Sequence, residues 1–142
     1  MSTKFRKKTT TRKSKNLEID TKAVKILRSL SDEEAFYFYE SIGKPTGEIA
    51  RSLQDFLEKI RSVKLESLLF HLQRKDFQNW IQKTLDDPKL ATRIGRIRPS
   101  HDDNLRAKIG SIIENRIKEL KAASVTLLVD EQLAVLPSSS AS

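Results

Sequence analysis

Cysteine is absent from the 142 residues, which removes disulfides, thiolate metal sites and cysteine nucleophiles and fits a reducing compartment. Aromatic residues make up only 6% of the chain, and glycine and proline occur four times each. No glycine-rich loop of the Walker or Rossmann type is present; Pro45-Thr46-Gly47 reads as a turn and cap rather than a phosphate loop. The two histidines, His71 and His101, belong to no spaced ligand set, so no metal and no cofactor are expected. No stretch reaches the roughly 18 uninterrupted apolar residues that a membrane-spanning helix needs. The N-terminus lacks the apolar region of a secretory signal, and Ser2 is not the glycine that myristoylation requires. A soluble, cytoplasmic protein is expected.

What the chain does have is charge, unevenly placed. Of a net +8, seven positive charges (Lys4, Arg6, Lys7, Lys8, Arg12, Lys13 and Lys15) precede the first acid, Glu18, which leaves the rest nearly neutral. Residues 1–16 hold one large apolar side chain besides the initiator, Phe5, too little burial to offset the entropy of ordering. They read as a disordered basic arm. Such an arm either contacts the phosphates of DNA or RNA or an anionic surface, or serves as a solubilising tail.

The remaining length suits one domain, and its apolar periodicity predicts an all-α bundle of about five or six short helices over residues 17–123. Asp20 caps a short helix carrying Ala23, Ile26, Leu27 and Leu30 inward. Ser31 with Glu34 forms a capping box for a second helix, whose buried face is Ala35, Phe38, Tyr39 and Ile42 and which stops at Gly43. The β propensity of Phe36-Tyr37-Phe38-Tyr39 makes a strand the competing reading. A third helix, Gly47 to Ser62 with Thr46 as cap, buries Ile49, Leu53, Phe56, Leu57 and Ile60.

Phase decides the next stretch. Leu65, Leu68, Leu69 and Leu72 form one helical stripe; Phe77, Trp80, Ile81 and Leu85 form another, turned by roughly 145° from the first at about 100° per residue. A break near Arg74 to Asp76 resolves the conflict, with Asp76 as cap of the second helix. Asp87-Pro88 opens a further helix with Leu90, Ala91, Ile94 and Ile97 inward, ending before Arg98-Pro99. After a restart at Ser100, the last helix covers His101 to Ala122 and buries Leu105, Ile109, Ile112, Ile113, Ile117 and Leu120. Residues 124–142 read as a partly disordered C-terminal segment that either folds back on the core or docks to another chain.

The stretches Ala35-Phe36-Tyr37-Phe38-Tyr39, Pro45-Thr46-Gly47 and Phe70-His71-Leu72-x-Arg74-x-Asp76-Phe77-x-x-Trp80-Ile81, followed by Leu90-Ala91, resemble a prokaryotic family of small helical domains of unknown function. The resemblance covers residues 30 to 97. Its members stand alone or lie beside or fused to carbohydrate-active enzymes, which implies an accessory role. The family commonly has glycine between the motif arginine and aspartate; Lys75 in that place weakens the case for a left-handed turn there.

The strongest catalytic set available is His71, Arg74 and Asp76, with Glu66 nearby: an acid-oriented histidine is a general base, and an arginine binds carboxylate or phosphate bidentately. Structural work explains the same residues more simply, with Asp76 capping, Arg74 pairing with it, and His71 hydrogen-bonded among Phe70, Phe77 and Trp80. The expected function is therefore that of a non-enzymatic interaction or regulatory module with an unnamed protein partner. Nucleic-acid association through the arm is the alternative, and an accessory domain or enzyme of carbohydrate metabolism a further one. Composition sets no oligomeric state.

Overall fold

The computed structural model describes residues 21–140, with side chains over residues 21–124. By internal packing the chain divides into residues Met1–Lys25 with Glu119–Ser142, and Ile26–Lys118. The basic arm, Lys4 to Lys15, lies outside the described residues. In the first unit Ala23 and Leu120 are buried, and the Ser124 hydroxyl donates back to the Leu120 carbonyl at 3.1 Å.

The described chain is mostly helical but not purely so: residues 21–26 (α1) precede a hairpin of β1 (Phe36–Ser41) and β2 (Lys44–Ala50), and five helices follow. The helix expected to follow Ser31 lasts a single turn. Only one half of its capping box forms: Glu34 Oε1 accepts the Ser31 amide at 3.5 Å and the Ser31 hydroxyl at 3.2 Å, while the Glu34 and Ala35 amides return to the Ser31 carbonyl rather than to its hydroxyl. Propagation then fails because Phe36 and Phe38 are both buried while Tyr37 between them is exposed. A helix would turn side chains two apart by about 200°, whereas a strand puts them on one face. Ile42, assigned inward by helical spacing, instead sits at the hairpin tip and is 82% exposed.

The third expected helix is corrected at its start for a related reason. Residues from Lys44 to Ala50 form β2, antiparallel to β1 with Phe36 opposite Ala50 and Tyr37 opposite Ile49. The register then slips, since Tyr39 faces Pro45, which leaves a bulge on β2 containing Gly47 at φ +87°. That left-handed backbone suits glycine and cannot open a helix. Thr46 caps nothing; its hydroxyl donates to the Phe38 carbonyl at 2.9 Å and accepts the Glu48 amide at 3.0 Å, pinning the bulge. Helix α2 (Leu53–Ser62) begins only at Ser52, whose hydroxyl accepts the Asp55 amide. Its stripe of Leu53, Phe56, Leu57 and Ile60 is buried as the spacing predicts.

Helices α3 (Leu65–Arg74) and α4 (Asp76–Lys83) meet at the break that phase requires. The corner is a single residue, Lys75, at φ +64°, so the left-handed turn exists despite the missing glycine. Its amide closes α3 onto the Leu72 carbonyl at 3.1 Å, and its own carbonyl accepts the Asn79 amide at 3.0 Å. The N-cap position of α4 is thus Lys75, with no side-chain cap, and Asp76 is the first helical residue rather than the cap. A carboxylate in the first turn still meets the positive end of the helix dipole.

Asp87 caps α5 (Pro88–Gly95) as its sequence signal indicates, accepting the Leu90 amide at 3.2 Å. The same buried carboxylate takes a two-pronged contact from Arg116, Nε at 2.8 Å and Nη2 at 3.1 Å. Arg116 lies on α6 (Asp103–Ser140), whose backbone continues well past the expected end at Ala122. Asp102, not Ser100, accepts the first-turn amide of Asn104. Leu105, Ile109, Ile113 and Ile117 are buried, while Ile112 is only partly so. Arg106 reaches from α6 to the Ile60 carbonyl at 2.7 Å, satisfying the last turn of α2.

Lys75→Gly should stabilise the protein by about 0.5–1 kcal/mol, because relief of the left-handed penalty on a β-carbon outweighs the added freedom of the unfolded chain. An unchanged or lower urea midpoint would show that the corner is unstrained. Arg116→Met should cost about 3–5 kcal/mol by leaving the Asp87 carboxylate buried without its counter-charge, measured as a fall in unfolding free energy.

Candidate functional site

The motif residues converge where β1 crosses the α3–α4 corner. Phe36, buried on β1, packs edge-on to Phe38 at 4.8 Å, Phe56 at 5.5 Å and Trp80 at 5.4 Å between ring centroids. Phe77 lies 5.3 Å from Phe36 and from Phe56. Aromatic pairs of this kind add about 0.5–1.5 kcal/mol each beyond area burial, and Phe36, Phe38, Phe56, Phe77 and Trp80 form one cluster of them. The Trp80 indole N–H donates to the Glu34 carbonyl at 2.8 Å, joining α4 to the turn before β1. The Glu34 carboxyl is held below the usual carboxylate range, first by the Ser31 backbone amide and then by Arg28 and the Ser31 hydroxyl.

At the centre is His71 on α3, 3% exposed. The Tyr39 amide donates to its Nε2 at 2.8 Å, and its Nδ1 lies 2.9 Å from Asp76 Oδ2. Because Nε2 accepts, the neutral ring carries its proton on Nδ1 and donates it to Asp76. Both nitrogens are committed. Burial lowers the His71 pKa below its ordinary value, outweighing the opposing pull of the Asp76 carboxylate, and Arg74 adds to the lowering. A cation here would lose the Tyr39 hydrogen bond, since a protonated imidazole accepts nothing.

Asp76 Oδ2 also accepts Arg74 Nε at 3.1 Å, and the Arg74 guanidinium lies 5.0 Å over the Phe70 ring. Phe70, His71, Arg74, Asp76, Phe77 and Trp80 are thus brought together around the corner. Glu66 is not part of the group and stays exposed on α3. Among the described residues no cluster of three or more His, Cys, Asp or Glu is arranged to hold a metal ion, and no helix is long and apolar enough to cross a membrane.

Beside this network lies an open groove of about 440 Å³. One wall is β1 and the hairpin tip, with Tyr37, Tyr39, Ile42 and Gly43; the other is the helical corner, with Phe70, Arg74, Asp76 and Asn79, over a floor of Phe36 and Trp80. The β1 side was not legible as part of a site while residues 36–39 read as a helix. Its signal was the alternation of Phe with Tyr, since the tyrosines fall on the face away from the phenylalanine core.

The geometry defines a mostly α domain in which a β-hairpin is locked to a two-helix corner by an imidazole. Neither the protein-family models, nor the curated proteins, nor the solved structures yield a match for this chain.

The sign of the His71 shift fixes a pH dependence. A folded-state pKa below the ordinary value near 6.5 means that the unfolded chain binds the proton more readily, so stability is full above that value and is lost as pH falls through it. The unfolding free energy of wild type should therefore drop between neutral pH and pH 5 by more than that of His71→Asn, which cannot titrate. Parallel pH profiles for the two proteins would contradict this.

Proposed function

We propose that the chain is a non-enzymatic interaction or regulatory module and that the groove beside the His71 network is its binding face. The observation that carries this reading is the division of labour between neighbours. His71 spends its base lone pair on the Tyr39 amide, whereas Arg74, Asn79, Tyr37 and Ile42 stay accessible around the groove. A general base needs a free lone pair within reach of a substrate proton; a recognition surface needs apolar area with a few oriented polar groups. Membership of the prokaryotic small-domain family that the motif resembles belongs to the same proposal, the motif then serving as the keystone of the hairpin–corner joint. The partner in this reading is another protein.

A second reading, nucleic-acid association, is supported by the seven positive charges within residues 1–16. One experiment separates the two. Affinity capture with the full chain, with Ile42→Glu and with residues 1–16 deleted, each with and without nuclease, should retain a protein partner through nuclease treatment and arm deletion and lose it with Ile42→Glu. Material released by nuclease and by deletion of the arm instead favours nucleic acid; direct binding should then weaken with log salt at a slope near 0.9 per phosphate contacted. A reproducible turnover abolished by His71→Ala in a protein that still folds would defeat the module reading.

A further inference from the structure

The groove carries one cation with an unused recognition edge. Arg74 engages Asp76 through Nε only, its guanidinium carbon lies 5.0 Å from the centre of the Phe70 ring, and among the described residues Nη1 and Nη2 have no partner. The side chain is 51% exposed. The cation–π contact and the Nε bond hold the guanidinium at two points, so its outer edge is a positioned pair of donors of the kind that grips a carboxylate with two parallel bonds. Less ordering entropy is then lost when an anion arrives.

The surroundings restrict the anion. Asp76 sits within 3.1 Å of the same guanidinium, which leaves the local charge close to balanced and disfavours a dianion such as phosphate, while a single negative charge is tolerated. The rest of the groove is apolar and open, with Ile42 82% and Tyr37 42% exposed at its rim. A ligand that matches must carry a carboxylate and an apolar body within the span of a 440 Å³ groove, which is at the small end for pockets that enclose drug-sized molecules. A single residue that unites the two is the last residue of a peptide, where the main-chain carboxylate and an apolar side chain share one Cα. Asp76 Oδ1, without a partner among the described residues, and the exposed Asn79 carboxamide lie along the same groove to receive peptide N–H and C=O groups.

We infer that this groove binds the free C-terminus of a partner polypeptide ending in an apolar residue, with Arg74 holding the terminal carboxylate and the apolar side chain covering Ile42 and Tyr37. The inference rests on the interaction-module reading and gives that reading a ligand class.

N-acetyl-phenylalanine stands in for such a terminus, its neutral partner N-acetyl-phenylalaninamide removes only the charge, and inorganic phosphate supplies a competing anion. Titrated into the isotopically labelled full chain, the acid should shift the Trp80 indole and Asn79 carboxamide resonances, and the amide should bind about tenfold more weakly for want of a charge-assisted contact. Arg74→Gln should erase the preference for the acid, and Arg74→Lys should restore only part of it. Ile42→Ser, at an exposed tip that cannot compromise the core, should weaken acid and amide alike. Equal binding of acid and amide, displacement of the acid by phosphate, or the absence of shifts at the groove would overturn the inference while leaving the module reading standing. Chemical conversion of the probe would instead defeat that reading itself.

Discussion

A buried imidazole accepting a main-chain N–H is the constraint on which the arrangement of the hairpin and corner depends. At Tyr39 the ladder has lost its regular register, with Pro45 opposite, and the Tyr39 amide finds its acceptor on a helix. An unpaired amide at that depth would cost about 1–3 kcal/mol. The acceptor works only while His71 is neutral and its proton faces Asp76. Asp76 in turn is available because it is the first residue of α4 and not tied up as a cap. Strand register, tautomer and helix boundary are thus mutually fixed by two side chains, His71 and Asp76, and one main-chain amide.

The second constraint is steric. Two helices whose apolar stripes are out of phase must part company, and the chain does so over one residue. Lys75 accepts a left-handed conformation that glycine would adopt more cheaply, because continuing the helix would carry Phe77, Trp80 and Ile81 away from Phe36 and Phe56. Burial of the aromatic cluster outweighs about 1–2 kcal/mol of backbone strain. The corner also sets Arg74, the last residue of α3, beside Asp76, the first of α4.

From these constraints the groove follows. Packing draws the phenylalanines of β1 inward and leaves the tyrosines on the other face, while the corner supplies an arginine held over Phe70 by a cation–π contact and on Asp76 through Nε. Charge elsewhere on the hairpin is more weakly organised. Glu40 is held below the usual carboxylate range by hydrogen bonds from Lys44 and Lys64, two largely exposed lysines in ion pairs of the sort that contribute little to stability.

Much of the helical part was legible in the sequence. The stripes of α2, α4 and α5, the break after Arg74 and the Asp87-Pro88 start all follow from local rules, since apolar period, capping chemistry and proline geometry act within a few residues. The hairpin was not settled by them. Ser31 and Glu34 do make half of a capping box, and only the need to bury both Phe36 and Phe38 against Phe56 and Phe77 turns the residues that follow into strands. Likewise Asp76 reads locally as a cap, but a partner five residues away in sequence, His71, claims its carboxylate. The sequence by itself determined the helices from Ser52 onward, the concentration of positive charge in residues 1–16 and the absence of thiol chemistry. The strand pair, the tautomer of His71 and the free edge of Arg74 were decided only by tertiary structure, because each depends on contacts between segments whose local preferences are compatible with more than one backbone.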